Sequence, residues 1–291
     1  VKIKDQMPRP VRRAALPDLR PARYYRILGR FHVWKRLIAR LHSLRQSLLL
    51  HDASITPPLR ESVFNQAALE IWLQGLRRDG FCAGLQMPET LAEDIYKHAC
   101  ATYCHRHAED EEYFRIEDIR DGRTPEGAPV AIADVISPAC AAVDRVTRDP
   151  LLIEIARRYL GYWPERVARR LYWSPVSELP EDARRNGGQT IDFHYDIEPK
   201  SSLYAFFYIT GANRDSGAHV TVAGSHTPKP LPIRLSSAFQ PETRVLERYG
   251  AENAVVIEGG PGFGFLEDPA CFHKALAPRQ APRLVLQLRY S

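Results

Sequence analysis

The sequence predicts an α+β protein with a double-stranded β-helix (jelly-roll) core and packed N-terminal helices. Two observations lead there. Apolar residues recur at helical spacing through most of the first 160 residues, and the remainder breaks into short runs of β-branched and aromatic residues separated by Gly, Pro, Asn and Asp. Helices first and about seven or eight strands afterwards suit two packed sheets with helices outside them. At 291 residues and 44% hydrophobic composition the chain can bury one large core. It divides into a basic arm and amphipathic helix over 1–60 and a jelly-roll domain over 61–291.

Residues 1–23, rich in Pro and Arg, read as an irregular arm. Over 24–50, Ile27, Phe31, Trp34, Ile38 and Leu41 recur at spacings of three and four among arginines, which predicts an amphipathic helix. A second helix is expected over 62–79, stopped by Gly80, and a third over 87–108, opened by Pro88 with acidic residues near its start. Asp149, Pro150 and Gly161 supply the cap, first turn and stop of a fourth. Strands are then expected in RVARRLYW, 191–198, SLYAFFYIT, AHVTVAG, NAVVIEG, FGFLED and RLVLQLRY.

Charge is unevenly spread. Before residue 50 there are 13 Lys and Arg against Asp5 and Asp18, a local +11 in a chain of net +5, so the basicity belongs to one segment. That segment is expected either to dock on the jelly roll or to lie on an anionic membrane through Trp34, Leu37, Leu41 and Leu44. No apolar run reaches the roughly 18 residues of a membrane span, and no basic-then-apolar secretory layout opens the sequence. A cytoplasmic protein is expected, with at most a peripheral contact at the inner face of the membrane through 24–50. The acidic β half shows no base-stacking motif, which argues against nucleic acid. Five irregularly spaced cysteines read as reduced thiols, and CATYCHRH as a helix face rather than a zinc site. GGPGFGFLED lacks a following Lys-Ser/Thr and reads as a turn, not a phosphate loop.

The chemistry concentrates in IDFHYDIEPK. Residues i and i+2 of a strand share a face, so His194 and Asp196 would enter one interior side by side. They cover two of the three ligands of a 2-His-1-carboxylate site for non-haem Fe(II). His219, His226 and His273 are the candidates for the third. His273 is followed ten residues later by Arg283 at the start of a strand, and a guanidinium there can hold the far carboxylate of a 2-oxo diacid in a two-bond fork, which favours His273. Arg289, on the same strand face as Arg283, is the alternative anchor, whereas Arg279 falls in a Pro-flanked loop. His219 and His226, in GAHVTVAGSH, are expected to play hydrogen-bonded structural roles around a turn.

From Asp79-Gly80-Phe81 to Tyr290 the chain resembles the phytanoyl-CoA dioxygenase-like branch of the Fe(II)/2-oxoglutarate-dependent oxygenases. The resemblance is carried by DPLLIEIARRYLG, FHYD, LYAFFYIT, GAHVTVAGSH and FHKALAPRQAPRLVLQLRY, in that order. It implies that His194 and Asp196 are the proximal ligands, His273 the distal ligand, and Arg283 the residue that binds the C5 carboxylate of 2-oxoglutarate. It also implies Fe(II), 2-oxoglutarate and O2 as cofactor and cosubstrates of a hydroxylase. Position 275 is a departure, being Ala where several relatives carry a hydroxyl that assists the arginine. Asp196 argues against a halogenase, which needs that ligand position free. Two other classes compete: a cupin-like non-redox metal enzyme, needing neither Arg283 nor O2, and a non-catalytic jelly-roll binding module. The loop 174–190 before the metal segment reads as a lid, with Arg184, Arg185 and Gln189 expected to touch substrate. With the basic N-terminal segment it suggests an anionic small molecule or a lipid-linked acidic sugar, such as the inner core of lipopolysaccharide.

Overall fold

The computed structural model describes residues 28–49, 58–106 and 112–291. The arm over 1–23, the first residues of the 24–50 helix and His107 lie outside them. Helix α1 (His32–Leu49) precedes two short 3-10 turns at 59–61 and 66–68. The expected second helix therefore starts late, as α2 (Leu69–Asp79), because Asn65 accepts from the Ala67 amide and turns the chain first. It ends as predicted on Gly80, whose φ of 80° is a left-handed conformation that glycine adopts without strain.

β1 (Phe81–Gln86) follows, then α3 (Glu89–Ala101), seven residues shorter than expected at its far end. Cys104 exchanges two backbone hydrogen bonds with Phe114, 2.7 and 3.1 Å, and this pairing draws the chain into β2 (Cys104–His105). β3 (Ala133–Val135), α4 (Ala141–Thr147) and α5 (Pro150–Leu160) complete the helical half. β4 (Val167–Ser174), α6 (Glu181–Asn186), β5 (Leu203–Tyr208), β6 (His219–Val222), α7 (Leu231–Arg234) and α8 (Glu242–Tyr249) come next. The chain closes with β7 (Ala254–Ile257), β8 (Phe263–Glu267), β9 (His273–Ala275) and β10 (Arg283–Tyr290).

Among the described residues the strands form two antiparallel sheets, β1-β8-β5-β10-β4-β3-β2 and β7-β6-β9. Alternation along the central strands divides the core. Leu284, Leu286, Leu288 and Tyr290 of β10, with Leu203, Ala205 and Phe207 of β5, pack against α2, α3 and α5. Val285, Tyr204, Phe206 and Tyr208 point the other way, to meet Ala218, just before β6, and Ile257 of the smaller sheet. The space between the sheets is thus lined by aromatic rings and by the alternate residues of β10, Arg283, Gln287 and Arg289 among them.

Helix α1 has two apolar faces. One docks: Gln46 donates to the Trp163 carbonyl and accepts from its amide at 2.9 and 2.8 Å, His42 lies 3.0 Å from Glu165, and Ala39 packs on the core. The other, Val33, Leu37, Leu41, Leu44 and Leu48, is exposed, Val33 and Leu48 to 80%. No helix among the described residues is long and apolar enough to cross a membrane.

Asp149 ties the helical half together. Its buried carboxylate caps α5 through the amides of Leu151 and Leu152, at 2.9 and 3.3 Å, and accepts from the Ser62 hydroxyl and the Val63 amide at 2.8 and 2.9 Å. Asp149→Ala is expected to destabilise the fold by about 2 kcal/mol or more, because donors beyond the ordinary cap lose their partner. Thermal unfolding should shift down by several degrees, with Asp149→Asn falling between. An unchanged unfolding temperature would show that the cap carries no such weight.

Candidate metal centre

His273 opens β9, which pairs with β6 along one edge. On the other edge His273 and His194 exchange both backbone hydrogen bonds, at 2.8 and 3.0 Å. The 191–198 segment is therefore not the full strand expected from its sequence. Opposite Asp196 the chain turns, with the Cys271 amide donating to the Asp268 carbonyl, and the Asp196 amide donates to the Pro269 carbonyl at 2.8 Å. The two-residue spacing still delivers both side chains to one place. Ligand atoms of His194, Asp196 and His273 lie within 4.8 Å of one another, and among the described residues they are the group of three able to hold a metal ion.

The imidazoles are prepared for that task. His194 Nδ1 lies 3.2 Å from the Asp192 carbonyl and His273 Nδ1 3.0 Å from that of Cys271. These contacts place the proton on Nδ1 and leave each Nε2 lone pair free for a metal. Burial holds His194 below the usual imidazole range, against the pull of Asp196, and lowers His273 to about 4, so both are neutral near pH 7. His194 Nε2 is 3.8 Å from Asp196 Oδ1. Two neutral imidazoles and one half-exposed carboxylate fit a non-haem iron ion with positions left open.

Arg283 is buried at the start of β10. Its Nη1 donates to the Gly217 carbonyl, its Nη2 to Ser174 Oγ at 3.2 Å, and its Nε is buried with no partner. Among the described residues no carboxylate lies within ion-pair distance of it. A buried cation without a counter-ion is costly, so this orphaned donor fits an anionic ligand such as the far carboxylate of 2-oxoglutarate. Arg289 also leaves its Nε without a partner, but it is half-buried, lies 5.0 Å from the centre of the Tyr204 ring and donates to Gln287 at 3.1 Å.

Two more groups neighbour the centre, of which sequence reasoning named His219 and missed Glu267. His219 lies on β6 facing the interior, not at a turn, with its ring 5.4 Å from that of His273 and its Nε2 3.2 and 3.1 Å from the two oxygens of Glu267. Burial, aided by Arg283, lowers His219 to about 3, and burial raises Glu267 to about 7. The alternation Phe263, Phe265, Glu267 placed this carboxylate on the interior face, and that was its legible signal. His226 does sit in a turn, after β6.

The lid residues are occupied. Arg184 is buried and donates to the carbonyls of Leu179 and Ser177 and to Gln189, whose amide reaches the Leu276 carbonyl at 3.4 Å. Arg185 is shared among Asp182, Glu181 and Asp192. Their donors brace the loop and tie it to Asp192 and Leu276. Beside it runs a cleft of about 660 Å³, walled by Leu179, Ile191, Asp192, Lys274, Leu276 and Arg279.

Fold and donor set together describe a jelly-roll protein with a His-Asp-His group able to hold a metal ion. No protein-family model and no curated protein matches the sequence. Among solved structures, the chain is similar to the non-haem alpha-ketoglutarate-dependent epimerase SnoN from nogalamycin biosynthesis, with a TM-score of 0.51, 18% identity, and 78% of this chain and 84% of that one covered. It is also similar to EctD from S. alaskensis, solved with 2-oxoglutarate and 5-hydroxyectoine, with a TM-score of 0.51, 20% identity, and 75% and 74% covered. The shared fold is that of these 2-oxoglutarate enzymes.

Replacing His194, Asp196 or His273 by Ala should abolish stoichiometric metal binding while leaving thermal unfolding cooperative, since each removes one of three protein ligands. His219→Ala should keep the metal. Metal content after dialysis checks this, and loss of metal in His219→Ala with retention in His273→Ala would reverse the assignment.

Proposed function

We propose that the protein is an Fe(II)- and 2-oxoglutarate-dependent dioxygenase that hydroxylates a small molecule. One observation carries the proposal: a His-Asp-His group with neutral imidazoles and a buried guanidinium with no counter-ion among the described residues occupy the same intersheet space. A cupin-like isomerase or a binding module leaves the second of these without a purpose. The similarity to SnoN and EctD supports the same class.

His194, Asp196 and His273 would hold the iron, and Arg283 the distal carboxylate of 2-oxoglutarate. When bound, iron supplies the activation of O2 coupled to oxidative decarboxylation of 2-oxoglutarate to succinate and CO2, which drives oxidation of a substrate C–H bond. The chain's own contribution is positional. The two Nδ1–carbonyl contacts orient the imidazoles, and Arg283 fixes the length and direction of the cosubstrate. The rings of Phe206, Phe265 and Tyr208 exclude water around them. The 174–190 loop and its cleft are the proposed substrate side. Arg279, which has no ion-pair partner among the described residues, is suited to an anionic group there.

Arg283→Ala should raise the KM for 2-oxoglutarate by roughly 30-fold or more, from the approximately 2–4 kcal/mol lost when one partner of a desolvated charge pair is removed. Succinate formation under Fe(II) and air provides the assay, with Arg289→Ala as control. A larger effect at Arg289 would move the anchor by six residues. The product decides between hydroxylation and an epimerisation of the kind named for SnoN.

A peripheral membrane contact, relevant if the substrate is a lipid-linked acidic sugar, is supported by the undocked face of α1. Val33, Leu37, Leu41, Leu44 and Leu48 form its stripe, Arg36, Arg40 and Arg45 flank it, and the helix contains no acidic residue. Each basic residue near an anionic surface contributes about 1 kcal/mol, screened by salt. Full-length protein should co-sediment with anionic but not neutral vesicles at low salt, and substitution of Leu37, Leu41 and Leu44 by Gln should release it. Protein remaining in the supernatant with anionic vesicles would end this reading.

A further inference from the structure

The docked face of α1 is basic at its N-terminal end. While the stripe from Val33 to Leu48 faces outward, His32, Lys35 and Arg36, spaced i, i+3 and i+4, share a face with Ala39, the residue that packs on the core. That basic face looks across a cleft of about 360 Å³ at Arg77 of α2 and at His226 in the turn after β6. Like charges from two separate helices thus converge on one space, which is unfavourable unless an anion lies between them. The chain supplies too little negative charge of its own. Asp268 is the one carboxylate lining the cleft, and its oxygens already accept from the Tyr159 hydroxyl and the Ala270 amide, at 2.7 and 2.8 Å. Asp79 is paired with Arg78 at 2.7 Å. Among the described residues Lys35, Arg36 and Arg77 make no ion pair, so three cations against one carboxylate leave two charges uncompensated. Lys229, buried beside Ala270, adds a further cation, held only by the carbonyls of Ser225, at 2.8 Å, and Ala270. Burial holds His32 and His226 below the usual imidazole range, and the charge of Lys35 lowers His32 further, so near pH 7 both rings are neutral and carry one N–H each.

We infer that this cleft binds a phosphomonoester group, with Lys35, Arg36 and Arg77 supplying the charge and His32 and His226 supplying imidazole N–H groups within the same space. A phosphomonoester carries about −1.5 to −2 near pH 7 and offers three terminal oxygens, which matches two uncompensated charges and more donors than a carboxylate can use. The two guanidiniums suit phosphate oxygens through two-bond forks, and the ammonium of Lys35 acts as a point charge. The site is separate from the metal centre and does not depend on the use of 2-oxoglutarate. The two places touch through one turn: Asp268 lines the cleft, and the neighbouring Pro269 carbonyl accepts from the Asp196 amide. A soluble phosphorylated molecule and the headgroup of a phosphomonoester lipid present the same chemistry to these residues, and the two sources are separable by experiment.

The test uses the full-length chain at fixed ionic strength. Calorimetry with glycerol 3-phosphate reads the soluble source, and co-sedimentation with phosphatidic acid vesicles, compared with phosphatidylglycerol vesicles matched in surface charge, reads the lipid source. At least one of the two phosphomonoesters is expected to bind, and Lys35→Gln combined with Arg77→Gln should weaken it roughly tenfold or more, since two charge-assisted contacts are lost. Arg78→Gln, which removes a charge outside the cleft, and Arg283→Ala, which removes the cation of the metal centre, should leave the affinity unchanged. Lys35 is half-buried and Arg77 exposed, so thermal unfolding of the double variant should match the parent chain, and Arg77→Gln alone carries the test if it does not. Binding of glycerol 3-phosphate assigns a soluble ligand, and binding of phosphatidic acid in preference to phosphatidylglycerol, without glycerol 3-phosphate, assigns a headgroup; both uphold the site. No binding of either phosphomonoester, equal binding of the two kinds of vesicle without glycerol 3-phosphate, equal weakening by Arg78→Gln, or loss in Arg283→Ala alone overturns the inference.

Discussion

His194 and His273 exchange both of their backbone hydrogen bonds, and the rest of the centre is held relative to that single pair. The pairing sets the two imidazoles with ring centres 4.3 Å apart, and the spacing of two residues then brings Asp196 to the same side. Because each ring also rests its Nδ1 on a carbonyl two residues earlier in its own segment, the same local geometry repeats at both ligands. Little regular strand is needed for this. A three-residue β9 and an isolated bridge suffice, since the load is carried by β6 on one side and by the buried Phe193, Tyr195 and Phe272 on the other.

The second constraint is the alternation along β10. A strand with Leu284, Leu286, Leu288 and Tyr290 against the helices must send Arg283, Val285, Gln287 and Arg289 between the sheets. A slip of one residue would bury arginines under the helices and leave the intersheet space without its cation, so packing on the helical side specifies the chemistry on the other. The cost of burying Arg283 is offset in part by the Gly217 carbonyl and Ser174, and the remainder is available to an anionic ligand.

Much of this was legible because it is local. FHYD, the ten-residue step from His273 to Arg283 and the period-two strands could be read directly, and the long strands appear where the alternation puts them. What could not be read depends on partners distant in sequence. Glu267 meets His219 across 48 positions and Ser174 meets Arg283 across 109, so the local pattern shows at most which face each residue takes and not the partner it meets. At 184–189 the charged, Gly-containing loop was read as touching substrate; Arg184 lines the cleft beside it, and its donors, like those of Arg185, also bind carbonyls of the loop and carboxylates at 181–192. Helix α1 was ambiguous for a third reason. Its apolar residues exceed one stripe, and only packing decides that Gln46 and Ala39 mark the docked face while Leu37 and Leu44 remain outside.

The most direct measurement is a crystal structure of the chain prepared without oxygen with Fe(II) and 2-oxoglutarate. One iron per chain is expected on His194 Nε2, Asp196 and His273 Nε2, with the distal carboxylate of 2-oxoglutarate on Arg283. Iron bound through Glu267 and His219 instead, or 2-oxoglutarate lying away from Arg283, would contradict it.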